Sequence, residues 1–334
     1  MKKNKILSFL CATALISSSL LCGCSNSKAT FSDTGVYFDT VINISLQGKD
    51  GDKEIEKCFQ LAQKYEDLFS ATKEGSDIYN INHNINSPVE VSDETIDLLK
   101  EGIKYCKESQ GSFDITVGHL SNDLWHLSNN NGDIPSQNDI DNALTAIDYN
   151  NIVISDSTVM LKEDNAAIDL GAIAKGYIAD EMKEMIIEDG YDTGIINLGG
   201  NVLVIGEKDS DEGYYNIGIQ KPFEDGATIA GIKVKDKSVV TSGNYQRYFE
   251  KDGKIYHHIL DLNTGYPCDN DLNSVTIISD KSIDGDALST ITFLKGLDEG
   301  KKYIDSLDGI EAIFITKDNE VIYTDGLKGF VTVN

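Results

Sequence analysis

The sequence predicts an α+β fold in which helices pack on mixed, mostly antiparallel sheets. Two observations predict it. Strand-like segments come mainly as hairpins around short turns, and they outnumber clean strand–helix–strand units. The chain is also long, with 334 residues of which 40% are hydrophobic, so it can bury a large core.

Taken in order, "VYFDTVINISLQG" (36–48) has strand character, and "DKEIEKCFQLAQKYEDLFS" (52–70) is helical, with Ile55, Phe59, Ala62, Leu68 and Phe69 near one face. "VSDETIDLLKEGIKYCKESQG" (91–111) reads as a helix capped by Ser92 or Asp93 and stopped at Gly111. "SFDITVGHLSNDLW" (112–125) reads as a loop or short strand, and 128–139 as a polar loop. Residues 151–171 look like a hairpin running into a helix that Gly190 closes. Strands and turns then dominate from 194 to 280, helices from 284 to 307, and a terminal hairpin follows.

Charge narrows the partners. Formal net charge is −26, with 55 acidic against 29 basic residues, and Arg247 is the only arginine. Non-specific nucleic-acid binding needs a basic surface, so no nucleic-acid partner is expected.

The N-terminus combines a basic "MKKNK" with an apolar, serine-rich run too short for a confident membrane span. It ends in "LLCGC", which resembles a bacterial lipobox. Residues 1–23 are therefore read as a signal peptide, Cys24 as the lipidated residue, 24–35 as a tether and 36–334 as the folded domain. Lipid on Cys24 places the expected location at the outer face of the cell membrane, since two or more acyl chains anchor stably. Cys58, Cys106 and Cys268 remain, an odd number without CxxC spacing, so neither a disulfide framework nor a zinc site follows.

"AIDLGAIAKGYIADEM" (167–182) reads like a phosphate-binding loop with its order changed. A P-loop places Lys and then Ser or Thr after its second glycine, so that the hydroxyl can hold Mg²⁺. Here Lys175 precedes Gly176 and Tyr177 follows it. A hydroxyl could come from "DGDALSTITFLKG", where Asp286, Ser289 and Thr290 stand at i, i+3 and i+4 and so share one side of a helix. A carboxylate with two hydroxyls suits Mg²⁺, a hard cation that prefers oxygen. Taken alone, the same residues are also an ordinary helix start. "INLGGN" (196–201) allows a close backbone approach or is simply a turn, and Asp114 alone reads as a turn residue. The neighbouring histidines of "YHHILDLNTGYP" face opposite ways on a strand, so at most one serves a site.

In combination, "GSFDITVGHL…LW", "IDLGAIAKGYIAD", "INLGGN", "TSGNYQRYF…HHILDLNTGYP" and "DALST" resemble the ApbE-type flavin transferases in order and spacing, over roughly residues 36 to 330. The resemblance implies an ApbE-like fold and FAD:protein FMN transfer. In that reaction Mg²⁺ binds at the FAD pyrophosphate, FMN passes to a Thr or Ser hydroxyl of an extracytoplasmic redox protein, and AMP leaves. It also implies site residues. Asp286 and Thr290 match side-chain metal ligands with Ser289 beside them, and Ala172 matches a carbonyl ligand. Asp169, Lys175, Ser112, Phe113 and Asp114 match FAD-contacting positions. The chain departs from the pattern at Phe38, where many members have Met, and at Thr72, where an aromatic often packs on the flavin or adenine. Arg247 and His257 lie in matching segments, His257 or a carboxylate being candidates for the general base. Two other functions fit the same residues: an FAD pyrophosphatase, with water as acceptor, and a non-catalytic flavin-binding lipoprotein.

Overall fold

The computed structural model describes residues 29–127 and 132–334. The signal peptide and Cys24 lie outside them, as does the start of the 128–139 loop. Helices and strands are both abundant, as the sequence predicts, and the main sheet has eight strands. These are β1 (Thr30–Tyr37), β2 (Thr40–Gln47), β3 (Thr193–Leu198), β4 (Asn201–Gly206), β5 (Ser238–Gly243), β6 (Leu272–Ser279), β7 (Glu311–Thr316) and β8 (Val321–Tyr323). They lie side by side in chain order, every neighbouring pair antiparallel.

Among the described residues the strands are accompanied by α1 (Gly51–Phe69), α2 (Asp77–His83), α3 (Asp93–Glu108), α4 (Gln137–Leu144), α5 (Ala174–Glu188) and α6 (Ser282–Ile304), the last broken by a kink at Gly296. Successive side chains of a strand face opposite ways, and each face of this sheet has its own cover. On one face Leu46, Ile196, Leu203, Val275, Ile277 and Phe314 share a core with Ile55, Ala62, Ile178, Met182 and Ile291 of α1, α5 and α6. On the other, Val204, Val239, Ile278, Ile313 and Ile315 pack against a three-stranded sheet made by Tyr215–Gln220, Thr228–Val234 and Val331–Val333. With both faces covered, all eight residues of β6 are buried.

Three expectations need correction. Strand β1 begins at Thr30, inside the stretch assigned to the tether, because its residues pair one-for-one with β2 from Thr30↔Gln47 to Tyr37↔Thr40. Helices α2 and α4 have no counterpart in the sequence analysis, α4 taking up the end of the 128–139 stretch expected as loop; at seven and eight residues they are too short to show a clear periodicity. The segment 112–125 is neither loop nor strand throughout, since His119–Trp125 winds as a π-helical turn. Its wider turn lets the His126 amide reach the Ser121 carbonyl, and Trp125 is fully buried with its Nε1–H donating to the Gly265 carbonyl at 2.8 Å. The three thiols are free; Cys58 and Cys106 are buried and Cys268 is half-buried.

Candidate active site

Asp286 lies in the second turn of α6 and is buried, 4% exposed. Its Oδ2 accepts the Gly176 backbone N–H at 2.9 Å, and Lys175 Nζ lies 3.2 Å from Oδ1 and 3.4 Å from Oδ2. Lys175 also donates to the Gly171 carbonyl at 3.0 Å. A buried carboxylate needs such partners, because an uncompensated charge away from water is costly.

Two features of α5 make this meeting possible. An added Cβ on Gly176 would sit 2.4 Å from the Ser282 carbonyl oxygen, so only glycine lets α5 approach α6 this closely. One turn on, Asp180 accepts the Ser282 N–H at 2.7 Å and the Ile283 N–H at 2.9 Å, satisfying two unpaired donors at the α6 N-terminus. Burial pushes the Asp180 carboxyl up to about 6. The second glycine of the 167–182 motif therefore serves helix packing and a carboxylate, and the resemblance to a phosphate loop is one of letters.

Hydroxyls complete the cluster. The β5 residue Ser242 places Oγ 2.8 Å from Ser289 Oγ and 3.2 Å from Thr290 Oγ1. Ser289 is fully buried and donates to the Asp286 carbonyl at 2.9 Å, which makes it a brace for Asp286. Thr290 is half-buried, so its oxygen is the more accessible of the two. Ser242 carries no signal of its own in the sequence, although it stands in "TSGNYQRYF"; only strand pairing brings β5 under α6.

The donor set is oxygen only, with one carboxylate and three hydroxyls. No group of three or more His, Cys, Asp or Glu able to hold a metal occurs among the described residues. A cation here would complete its shell with water or substrate phosphate, as Mg²⁺ does. The residues fit that ion.

The other predicted residues divide. The Asp169 carboxylate holds its own loop, Oδ1 accepting the Gly171 N–H at 2.8 Å and Oδ2 the Ser121 hydroxyl at 2.7 Å and Asn122 Nδ2 at 3.2 Å. Asp114 is buried, and its carboxylate accepts from the Thr116 N–H, the Thr116 hydroxyl and the Tyr149 N–H. Phe113 is a core residue, and the Ser112 hydroxyl donates to the Ser109 carbonyl. These side chains hold the fold around residues 109–122, 149 and 169–171. Ala172 lies between Gly171 and the start of α5, beside the cluster in sequence. Phe38 occupies the β1–β2 turn with φ 54°, and its N–H donates to Glu66 at 2.7 Å. At the same end of the sheet, Gly199 and Gly200 turn β3 into β4 with positive φ, and an added Cβ on Gly199 would strike Thr40. Thr72 is exposed in the α1–α2 loop, where its hydroxyl lies 3.3 Å from that of Ser70.

His257, which the sequence offers as a candidate base, is held within the fold. Its Nε2 lies 2.9 Å from the Cys268 carbonyl and its Nδ1 accepts the Ile259 N–H at 3.3 Å, so both ring nitrogens are engaged within the fold. Burial holds it neutral, pushing its pKa down to about 4. Its neighbour His258 stands in a bend just after the strand Lys254–His257 ends. His258 Nδ1 is buried without a hydrogen-bond partner among the described residues. Burial first, then the charges of Arg247, His257 and Lys175, push its pKa down to about 3. Arg247 is exposed, and its carbonyl accepts the His258 N–H at 3.1 Å.

Fold and cluster together define an α+β protein with an oxygen-rich, lysine-backed polar cluster where α5, α6 and β5 meet. Residues 38–314 match the ApbE family model. The chain is 36% identical to the FAD:protein FMN transferase of Klebsiella pneumoniae, over 87% of this chain and 91% of that one. Identity to the enzyme of the same name from Treponema pallidum is 33%, over 84% and 81%. The crystal structure of the ApbE protein from Thermotoga maritima superposes with a TM-score of 0.83 at 32% identity, over 90% of this chain and 99% of that one. The chain belongs to the ApbE family.

Proposed function

We propose that this protein is an FAD:protein FMN transferase that uses Mg²⁺ and modifies a Thr or Ser hydroxyl of an extracytoplasmic redox protein. The observation that carries the reading is the junction of Lys175, Asp286 and the hydroxyls of Ser242 and Thr290, brought together from three distant segments. In the reaction, an acceptor oxygen forms a bond to the FMN phosphorus, the bond from that phosphorus to the AMP oxygen breaks, and the acceptor hydroxyl loses its proton. Negative charge grows on the phosphoryl oxygens and on departing AMP. Mg²⁺, when bound, supplies charge neutralisation there.

Within the chain, Asp286 and Thr290 would hold that ion, with the Ala172 carbonyl as a further oxygen. Lys175 contacts both Asp286 carboxylate oxygens and adds positive charge beside the phosphates. Both ring nitrogens of His257 are engaged within the fold, whereas His258 Nδ1 has no hydrogen-bond partner among the described residues, so we assign His258 rather than His257 to the acceptor side. The membrane anchor at Cys24 and the extracytoplasmic location belong to the same proposal and rest on the lipobox sequence.

The test is incubation with FAD, Mg²⁺ and candidate extracytoplasmic redox subunits, followed by in-gel flavin fluorescence and AMP measurement. Flavinylated protein with stoichiometric AMP is the expected result. Free FMN with AMP, and no labelled protein under any acceptor, would establish a pyrophosphatase instead.

A further inference from the structure

We propose that Asn82 is a positioning residue for the FAD-facing loop 166–173, an inference that rests on the function proposed above. Around Ile168 the loop is irregular, with a single parallel bridge between Ala167 and Val117. On one side Ala167 and Asp169 bond to the segment before the π-helical turn, the Gly118 N–H donating to the Ala167 carbonyl at 2.7 Å and the Asp169 N–H to the Ile115 carbonyl at 2.8 Å. The residue between them turns its N–H and carbonyl elsewhere. That residue is Ile168, fully buried, and among the described residues no strand pairs with it there.

The Asn82 side chain supplies the missing neighbour. The Ile168 N–H donates to Asn82 Oδ1 at 2.7 Å, and Asn82 Nδ2 donates to the Ile168 carbonyl at 2.9 Å. One carboxamide thus pairs as a peptide group would, and it prevents two buried backbone groups from going unsatisfied. Asn82 is itself held, because α2 is tied to α3. The Asp77 carboxylate accepts from the Ser92 N–H at 2.9 Å, the Ser92 hydroxyl at 2.8 Å and the Thr95 hydroxyl at 2.6 Å.

The consequence reaches the site through the chain. Three residues after Ile168, the Gly171 carbonyl holds Lys175 Nζ, which in turn contacts Asp286. Asn82 also couples two walls, since α2 directly follows the loop that carries Thr72. Releasing Ile168 therefore loosens the placement of Ala172, Lys175 and their grip on the phosphates, while the acceptor side is untouched.

The test compares Asn82→Ala and Asn82→Asp with the unaltered chain. It reads AMP release against FAD and acceptor concentration, FAD affinity by flavin fluorescence, and amide exchange at Ile168. Asn82→Ala should raise the FAD KM about tenfold, leave the acceptor KM unchanged and speed Ile168 exchange; tenfold corresponds to about 1.4 kcal/mol. Asn82→Asp keeps the acceptor for the Ile168 N–H but turns a second lone-pair oxygen toward the carbonyl. Its activity relative to the unaltered chain should therefore be low at pH ~8 and rise toward pH ~5.5, as protonation restores a donor. Should Asn82→Ala fail to fold, this pH series decides alone. An FAD KM within twofold of the unaltered value, or a relative activity of Asn82→Asp that is flat with pH, would overturn the proposal. If the unaltered chain releases no AMP, the transferase reading fails, and FAD affinity alone then decides for Asn82.

Discussion

Gly176 and Asp286 stand 110 residues apart in the chain, yet the Gly176 N–H donates to Asp286 Oδ2 at 2.9 Å. That bond exists because α5 touches α6 where Gly176 has no side chain. Gly176→Ala would bring a Cβ to 2.4 Å from the Ser282 carbonyl and 2.6 Å from Ile283 Cα, both backbone atoms. The helices must separate, and overpacking of this kind costs about 1–3 kcal/mol. Urea denaturation should show that loss, together with impaired transfer; an unchanged midpoint would refute the close-approach argument.

Asp286 carries the sharpest prediction about chemistry. Asp286→Ala removes the only carboxylate of the cluster, and transfer should nearly vanish even at saturating FAD. Asp286→Asn keeps an acceptor for Gly176 but not the charge, and should be almost as poor, with partial rescue by excess Mg²⁺. Thr290→Ser should be milder than Thr290→Val, since only Ser keeps the oxygen. Transfer that survives complete chelation in the unaltered enzyme would contradict the metal proposal.

Lys175→Ala should weaken FAD use by about 10- to 150-fold, the range that corresponds to losing a charge-assisted contact of about 1.5–3 kcal/mol. The side chain is 28% exposed, so part of this is screened by solvent and the lower end is expected. Kinetics at limiting FAD measure it.

The adjacent histidines should separate cleanly. His258→Ala should abolish transfer with little change in stability, whereas His257→Ala leaves the Cys268 carbonyl and Ile259 N–H unpaired and should cost about 1–3 kcal/mol of stability. The His257 effect has a pH signature. Its folded pKa, about 4, lies below the ordinary value of about 6.5, so the unfolded chain binds the extra proton between them. The stability that neutral His257 contributes is thus full above pH ~6.5 and is lost as pH falls toward 4. Denaturation of His257→Ala and the unaltered chain across that window should converge on the acid side.

Asp180 should behave with the opposite sign. Its folded pKa of about 6 lies above the ordinary value of about 3.9, so the native state holds the proton longer. Its contribution favours folding below pH ~4 and declines as pH rises through 6. Relative to Asp180→Asn, the unaltered chain should lose on the order of 3 kcal/mol between those limits, because a tenfold change in proton affinity is worth about 1.36 kcal/mol. A difference independent of pH would mean that burial does not govern this carboxyl.

The sequence by itself determined the class of fold, the motifs and the shared helix side of Asp286, Ser289 and Thr290. Hairpin patterns announced antiparallel strands, and the i, i+3, i+4 spacing announced that Asp286, Ser289 and Thr290 share one side of a helix. Local periodicity carries such information because it depends on neighbours three or four residues away. Tertiary structure decided the roles. It turned Ser289 into a brace and Asp114 and Asp169 into holders of their own loops, because hydrogen-bond partners such as Tyr149 and Ser121 come from distant segments. It engaged both ring nitrogens of His257 within the fold and left His258 Nδ1 without a hydrogen-bond partner among the described residues. Strand alternation predicts that the two differ; it does not say which side is the core. Asn82 and Ser242 were invisible for the same reason. Each acts through long-range contacts, and a single asparagine or serine leaves no period in the sequence to read.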